Sequence, residues 1–487
     1  MMFEPFDVGE PLLEFGGGGR HVDVRFGLMN HGPVTGPDHG SIRLGIVGTG
    51  AAIAGLKNWL EQCETEIPGR KSRLTNLAIA FPGIGAESPF RCGFRVADDD
   101  TRRIPPLAIE RIQQAKTMEA AIDLAADVFV SEIEAIEESS SRPDVILVAL
   151  TADLIERLVN DTSVGDGEDV PDAGLQPRRR KTGVDFRDIL KARALRCHTP
   201  LQIVWETTWN DDRTIKRKLA TRSVRTNQDE ATRAWNLFSG LFYKAGYTPW
   251  RLPRTDTQLD TSYIGISFFE TGDRGSIQTS CAQMFDERGQ GQILQGARPR
   301  TDHKGRNPYL AESDAYNLLS RSLEQFRKHH RQAPARVVLH KTSPFRDEER
   351  SGFKQALAEE RIDDADFLWI KRNTSIRLHR SGRYPVLRGT SVKLGSEFVL
   401  MTKGSVPFYQ TYPAEYAPRP LHVVHDYGSA SAEELAREIM LLTNMNWNTT
   451  QFDGGQPITI TASKEVARIL RHMNSDNQRT YRYAYFT

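Results

Sequence analysis

The chain has 487 residues, 64 Lys and Arg against 63 Asp and Glu, and a formal net charge of +1. That length implies two to four domains with sizeable cores, and the balanced charge excludes a general polycation, so any nucleic-acid contact must be local. Cys63, Cys92, Cys197 and Cys281 are scattered without a CxxC pair, no apolar run reaches membrane-span length and no secretory signal opens the chain, so disulfide, zinc and membrane classes are set aside and a soluble, cytoplasmic protein is expected.

Residues 1–40 are rich in Gly, Pro and polar residues, including Gly16-Gly17-Gly18-Gly19, and read as an extended lead-in with short strands. Ile42 to Gly48 reads as a strand, and Gly48-Thr-Gly50-Ala-Ala-Ile53 as the turn into a helix reaching Leu60. A Gly-x-Gly after a strand suggests a dinucleotide-binding turn. The third glycine position holds Ile53, however. The next expected strand, Leu74 to Ala80, runs into Phe81-Pro-Gly rather than into an acidic residue for a ribose. A turn that merely packs is the better reading, with a nicotinamide-binding enzyme as an alternative. A long helix is expected from about Leu107 to Glu138. A buried strand, Val145–Leu150, follows, then an exposed loop over 161–184 that includes the basic run Arg178-Arg-Arg-Lys181.

Phe186, Ile189, Leu190 and Ala194 recur at helical spacing, which places Arg187, Lys191 and Arg193 off the apolar face. Arg187 and Lys191 are four apart, so they share a side and repel unless an anion sits between them. A solvated basic face is the bland reading. The local imbalance is real, because Arg178 to Arg225 holds 14 Lys/Arg against 5 Asp/Glu. Gln202-Ile-Val-Trp205 reads as a strand. A helix is then expected from near Asn227, with Glu230 three residues on as in a capping box. It carries Trp235, Phe238, Leu241 and Phe242 at core spacing, with Lys244 in its last turn and Gly246 and Pro249 as stop signals. Strands alternating with helices imply a parallel sheet up to residue 253.

After Pro253 the pattern changes. Tyr263–Glu270, Ser276–Phe285 and 290–295 read as three strands joined by Gly/Asp turns. A helix (Asp314–His330), a strand (Arg336–His340), a helix (Asp347–Glu360) and a strand (Asp366–Ile370) follow. Three antiparallel strands, then α, β, α, β, is the element order of RNase H-like folds. Strands at Phe398–Met401 and Leu421–Val424 precede a helix ending in Leu441-Leu-Thr-Asn-Met-Asn-Trp-Asn448. Pro457-Ile-Thr-Ile-Thr-Ala462 precedes a last helix, and the tail Arg479–Thr487 is aromatic and basic.

Helix–Lys191–Pro200-Leu-Gln202–strand, followed by a helix closing in Tyr243-Lys-Ala-Gly-Tyr-Thr-Pro-Trp250, resembles the MID domain of prokaryotic Argonautes. The block Leu442-Thr-Asn-Met-Asn-Trp447 and the Pro457–Ala462 text resemble their PIWI domain. The resemblance covers residues 10–487. It implies an α/β fold: a lead-in segment over 1–40, a Rossmann-like MID domain over 41–253 and an RNase H-like PIWI domain over 254–487, with no N or PAZ domain. It further implies that Arg187, Lys191, Gln202 and Lys244 hold the 5′-phosphate of a guide strand, lysines acting as point charges and Gln as a neutral donor. By the same resemblance the Thr487 carboxylate reaches back into this pocket and, with Gln202 and the guide phosphates, holds Mg²⁺.

A slicing nuclease of this fold needs clustered carboxylates, because paired Mg²⁺ ions clamp the attacking and leaving oxygens. At three positions that the resemblance assigns to metal ligands the chain has hydroxyls: Ser267 after Gly265-Ile266, Thr342 after His340-Lys341, and Ser463 after Ala462. A hydroxyl carries no charge to hold a divalent cation, so no catalytic residue and no catalytic metal is expected. Glu287 matches the remaining position; Asp273, Asp286 and Asp302 are the nearby carboxylates that a shifted register would bring in. The resemblance therefore implies a short, non-slicing Argonaute. Its guide would be a short 5′-phosphorylated RNA and its target complementary single-stranded DNA. Its partner would be an APAZ-containing effector (TIR or sirtuin-like NADase, or nuclease), held as a heterodimer or, on activation, a higher oligomer, in abortive defence against plasmids and phage. An active guide-directed nuclease is the alternative.

Overall fold

The computed structural model describes residues 3–37, 40–139, 141–159, 185–220, 228–253, 260–270, 277–284, 291–301, 307–371, 374–412, 417–450, 454–473 and 480–487. The chain divides into two compact units. One comprises Met1–Gly27, Trp250–Asn446 and Gln451–Phe486; the other comprises Leu28–Pro249, Trp447–Thr450 and Thr487.

The second unit is built on a four-stranded parallel sheet in the order Gly93–Arg103, Ser41–Gly48, Val145–Leu150, Leu201–Trp205. Val145–Leu150 is buried along its whole length, as a central parallel strand covered on both faces requires. Helix Met118–Glu137 lays Ala121, Ile122, Ala125, Phe129 and Ile133 into this core. The single long helix expected over 107–138 is two helices, Pro106–Gln114 and Met118–Glu137, because Thr117 is extended and its hydroxyl accepts the Ala120 amide at 3.1 Å, starting a new helix.

The expected strand over 74–80 is absent. Those apolar residues lead to Phe81, which bridges Ile67 and stacks on Phe238, while Trp235 Nε1 donates to the Ala80 carbonyl at 3.0 Å. The sheet instead takes Gly93–Arg103, a strand hidden by its Asp98-Asp99-Asp100 run. The register jumps from Leu44–Val96 to Ile46–Thr101, so this acidic segment bulges and buried Asp100 pairs with Arg43 at 2.7 Å. The Gly-x-Gly turn has a packing cause. A Cβ on Gly48 would lie 2.8 Å from the Ala149 carbonyl, and one on Gly50 would lie 2.8 Å from the Arg103 side chain. Thr49 caps helix Gly50–Gln62 by accepting the Ala52 amide at 3.2 Å.

The first unit carries a ten-stranded mixed sheet. Its heart is Gln292–Gln295, Ile277–Met284, Thr261–Glu270, Arg336–Lys341 and Asp364–Lys371, side by side in that order. The first three are antiparallel neighbours, and the last two continue parallel to Thr261–Glu270. Numbered along the chain this is 3-2-1-4-5, the RNase H-like arrangement. Helices Glu312–His330 and Asp347–Glu359 cover one face, packing on Ile264, Ile266, Val337 and Leu339. Helix Ile458–Leu470 crosses Thr261–Glu270 at Gly265, where a Cβ would meet the Thr459 carbonyl at 2.0 Å. The Pro457–Ala462 text is thus the N-cap and first turn of that helix rather than a segment before it.

Beyond Asp364–Lys371 the sheet adds Leu421–Tyr427, Glu397–Leu400, Thr390–Leu394 and the N-terminal strand Glu4–Asp7; Thr480–Arg482 forms the other edge. The lead-in is not extended throughout. Asp23 accepts the Arg25 and Phe26 amides at 2.7 and 3.1 Å and opens the helix Val24–His31. Among the described residues no helix is long and apolar enough to cross a membrane.

Candidate functional site

Helix Phe186–Ala194 starts on Asp185, whose side chain accepts the Arg187 amide at 2.9 Å. Phe186, Ile189, Leu190 and Ala194 are buried, as their spacing predicts. The bland alternative, a solvated basic face, does not hold for Lys191: it is 3% exposed, and its ammonium donates to the main-chain oxygen of Thr487. Lys244 closes helix Glu230–Lys244 and is 1% exposed. It donates to Thr487 Oγ1 at 2.9 Å and to Asn448 Oδ1 at 3.0 Å. That helix begins on Asp229, which accepts the Thr232 amide at 3.0 Å, and not on an Asn227–Glu230 capping box. Glu230 serves elsewhere, accepting Trp59 Nε1 at 2.9 Å. Asn227 lies outside the described residues.

Gln202 is the second residue of strand Leu201–Trp205; its Nε2 donates to the Ile203 carbonyl at 2.9 Å. Its Oε1 is 4.0 Å from where a Cβ on Gly240 would stand, and Asn448 Oδ1 is 3.3 Å from the same point. Gly240, one turn before Lys244, thus lies close to both Gln202 and Asn448. Arg187 is partly exposed and reaches buried Asp188 at 3.2 Å. Arg193 is drawn off to Asp123 and Asp127, at 2.6 and 2.7 Å. The Arg178–Lys181 run lies outside the described residues. Lys191, Gln202, Lys244 and Thr487 thus come together, and the structure adds Asn448. Sequence reasoning passed over Asn448 although it closes the Leu441–Asn448 block. The signal was its neighbour: Trp447 stacks on Tyr243 at 4.3 Å, which sets Asn448 beside Lys244.

Two ammonium groups aimed at one residue, with carboxamides beside them, can hold an oxyanion. Burying an ammonium is costly without an anion to compensate it, which is why the arrangement suits a phosphate better than an apolar ligand. Thr487 and Gln202 also offer oxygen donors. Oxygen donors fit a hard cation such as Mg²⁺, which takes one or two carboxylates together with ligand phosphates.

Ser267 lies within the RNase H-like sheet, Thr342 directly after one of its strands, and Ser463 on helix Ile458–Leu470. Ile266 pairs with Lys341 across two parallel strands, so Ser267 and Thr342 follow side by side at the same end. Ser267 is 3% exposed. Ser463 is fully buried, and its Oγ donates to the Ile460 carbonyl at 3.0 Å. Nearby, His340 Nδ1 lies 2.7 Å from Thr459 Oγ1, and burial pushes the ring down to about 3, so it is neutral. Lys341 faces the opposite side of the sheet, 2.6 Å from both Glu349 oxygens, and burial lowers it to about 8. Among the described residues, no three His, Cys, Asp or Glu side chains gather into a set that could hold a metal ion. Asp273, Asp286, Glu287 and Asp302 lie outside the described residues.

No protein-family model and no curated protein matches the sequence. Solved structures do match in fold. Clostridium butyricum Argonaute bound to a guide DNA and a 19-mer target DNA superposes with a TM-score of 0.64 at 14% identity, covering 100% of this chain and 55% of that one. A. aeolicus Argonaute gives 0.59 at 14% identity, over 99% and 55% of the two chains. Drosophila Piwi gives 0.57 at 13% identity, over 99% and 56%. The chain spans about half the length of each of these proteins. Its fold is that of the Argonaute MID and PIWI domains: a Rossmann-like parallel α/β unit and an RNase H-like unit.

Proposed function

We propose that this chain is a short, non-slicing Argonaute: a guide-loaded sensor of complementary single-stranded DNA that activates an associated effector. Residues 41–253 act as the domain that takes the guide's 5′ end, and residues 254–487 as the PIWI-like domain that accepts the paired strands. Base pairing reads sequence, while the protein supplies the phosphate anchor, the same division of labour as in other RNA-guided effectors. The convergence of buried Lys191 and Lys244 on Thr487, with Gln202 and Asn448 alongside, carries the proposal. Arg187 completes the anchor from the partly exposed side. A solved protein of this fold holds a guide and a target strand, which supports nucleic-acid binding as the general activity.

The guide is a 5′-phosphorylated RNA. Mg²⁺ belongs to its 5′ end, where Thr487 and Gln202 would hold it together with guide phosphates; when bound it supplies charge neutralisation between those phosphates. Ser267, Thr342 and Ser463 provide no charged ligand for a catalytic metal, which supports binding without cutting. The readout then belongs to a partner carrying an APAZ region fused to a TIR, sirtuin-like or nuclease effector, in a cytoplasmic heterodimer that serves prokaryotic defence.

The anchor is tested by replacing Lys191→Ala and Lys244→Ala together. A charge-assisted hydrogen bond is worth about 1.5–3 kcal/mol, so with one lost at each lysine 5′-phosphorylated guides should bind on the order of 100- to 10,000-fold more weakly. A 5′-hydroxyl guide should change far less. Equal loss for both guides would remove the assignment.

A further inference from the structure

The parallel sheet has a second feature that the phosphate anchor does not use. A cleft of about 340 Å³ opens between helix Gly50–Gln62 and the turn Glu206–Asn210, lined by Gly55, Asn58, Trp59, Glu206, Trp209 and Asn210 among others. Both elements leave the carboxyl ends of parallel strands, Ser41–Gly48 and Leu201–Trp205. Open α/β sheets hold small ligands at that edge. The volume falls at the lower end of the range for small-molecule sites, roughly 300–1,000 Å³.

The walls are built rather than incidental. A Cβ on Gly55 would stand 2.6 Å from Trp209 Nε1, so only glycine lets the half-buried indole lie against the helix. Buried Trp59 is held by its hydrogen bond to Glu230 and by stacking on Phe238 at 6.3 Å. Glu206 is fixed from two sides, accepting the Ala152 amide at 2.7 Å and Asn210 Nδ2 at 3.1 Å. A carboxylate offers about four acceptor positions, so capacity remains after two bonds. The exposed Asn58 side chain makes no hydrogen bond among the described residues.

No lysine or arginine lines the cleft, and its one charged group is a carboxylate. That excludes a phosphate and selects an uncharged or cationic ligand that donates hydrogen bonds. Two indoles favour a planar one, since aromatic faces stack on flat rings. We propose that this cleft is a binding site for a nucleobase-like heterocycle bearing an exocyclic amine, the chemistry of a free nucleoside such as adenosine or cytidine. The amine donates to Glu206, the ring lies on Trp209, and the Asn58 carboxamide reads a second edge position. The site is distinct from the phosphate anchor. Gln202 and Glu206 are four residues apart in an extended chain, about 13 Å. Glu230 and Lys244 lie at opposite ends of one helix, about 21 Å apart.

The test is equilibrium dialysis of the full chain against radiolabelled adenosine, cytidine and uridine. Adenosine and cytidine should bind saturably at one site. Uridine, which has no exocyclic amine, should bind about tenfold more weakly, the loss of one hydrogen bond to a charged acceptor. Trp209→Ala and Gly55→Ala should abolish binding. Asn58→Ala, at an exposed position with no fold-holding bond, should weaken it several-fold and guards against a Trp209 variant that fails to fold. Lys191→Ala with Lys244→Ala should leave nucleoside affinity unchanged, so this site and the guide anchor can fail separately. Absence of saturable binding to the wild type, or equal affinity in the wild type and the Asn58→Ala chain, overturns the proposal.

Discussion

His340 shows what burial does to a single residue. Its ring is fully enclosed, Nδ1 meets Thr459 Oγ1, and Nε2 has no hydrogen-bond partner among the described residues. Burial, reinforced by the nearby charge of Arg336, takes its pKa from 6.5 to about 3. Between those values the unfolded chain binds a proton that the folded chain refuses. The stability associated with neutral His340 is therefore complete above pH 6.5 and is lost progressively as pH falls towards 3. One proton corresponds to a slope of about 1.4 kcal/mol per pH unit. Replacing His340→Gln should flatten the dependence of unfolding free energy on pH in this window by that one-proton slope. Urea titrations at several pH values check it, and an unchanged slope in the variant would show that His340 titrates normally in the folded chain. Asn448 gives a second expectation at this scale. Removing its acceptor by Asn448→Ala should weaken 5′-phosphorylated guides by less than either lysine substitution does, because Lys244 keeps Thr487 Oγ1. A filter-binding loss as large as that of Lys244→Ala would make Asn448 the principal contact.

Helix Ile458–Leu470 sits on the sheet only because position 265 lacks a side chain. Gly265→Ala would place a Cβ 2.0 Å from the Thr459 carbonyl, a clash with backbone that no rotamer relieves. Overpacking of this kind costs about 1–3 kcal/mol, so the urea midpoint should fall; an unchanged midpoint would mean that the helix docks elsewhere. The same element shows why some of the fold was legible in the sequence and some was not. The RNase H-like order could be read because its strands and helices carry clean periodicity, from Tyr263 through Ile370, and the 3-2-1-4-5 sheet follows from that order. Gly93–Arg103 could not be read, because its acidic bulge pairs inward with Arg43, a long-range contact that no local pattern announces. Leu74–Ala80 looked like a strand for the converse reason. Its end is tied by the Ala80 carbonyl to Trp235 and leads into the Phe81–Phe238 stack, with no ladder along it. At the proposed anchor, Lys191, Gln202 and Lys244 were named by the resemblance to the MID domain rather than by any local pattern. The burial of Lys191 and the entry of Asn448 depend on segments more than 200 residues away.

At the scale of the whole molecule, the proposed activity is binding without chemistry, and binding alone does nothing to an invading strand. Ser267 within strand Thr261–Glu270 and Thr342 just after strand Arg336–Lys341 are hydroxyls, so Mg²⁺ or Mn²⁺ added to the guide-loaded chain should give no cut at a defined phosphodiester of a complementary target. Ser267→Ala should leave target affinity unchanged. On that proposal the consequence of target pairing appears in a second protein, and the test is co-expression with the genomic neighbour. The two products should copurify as a heterodimer. Loading a 5′-phosphorylated guide and adding complementary single-stranded DNA should start NAD consumption or indiscriminate nucleic-acid degradation, while a scrambled strand should start neither. The Lys191→Ala, Lys244→Ala chain should still copurify with its partner but fail to trigger it at guide concentrations that saturate the wild type, which separates loss of the anchor from loss of assembly. A chain that stays monomeric beside every neighbouring product, with no activity released by the matched strand, would leave the sensor-plus-effector reading without support; guide-dependent cleavage by the chain alone would replace it with that of an active nuclease.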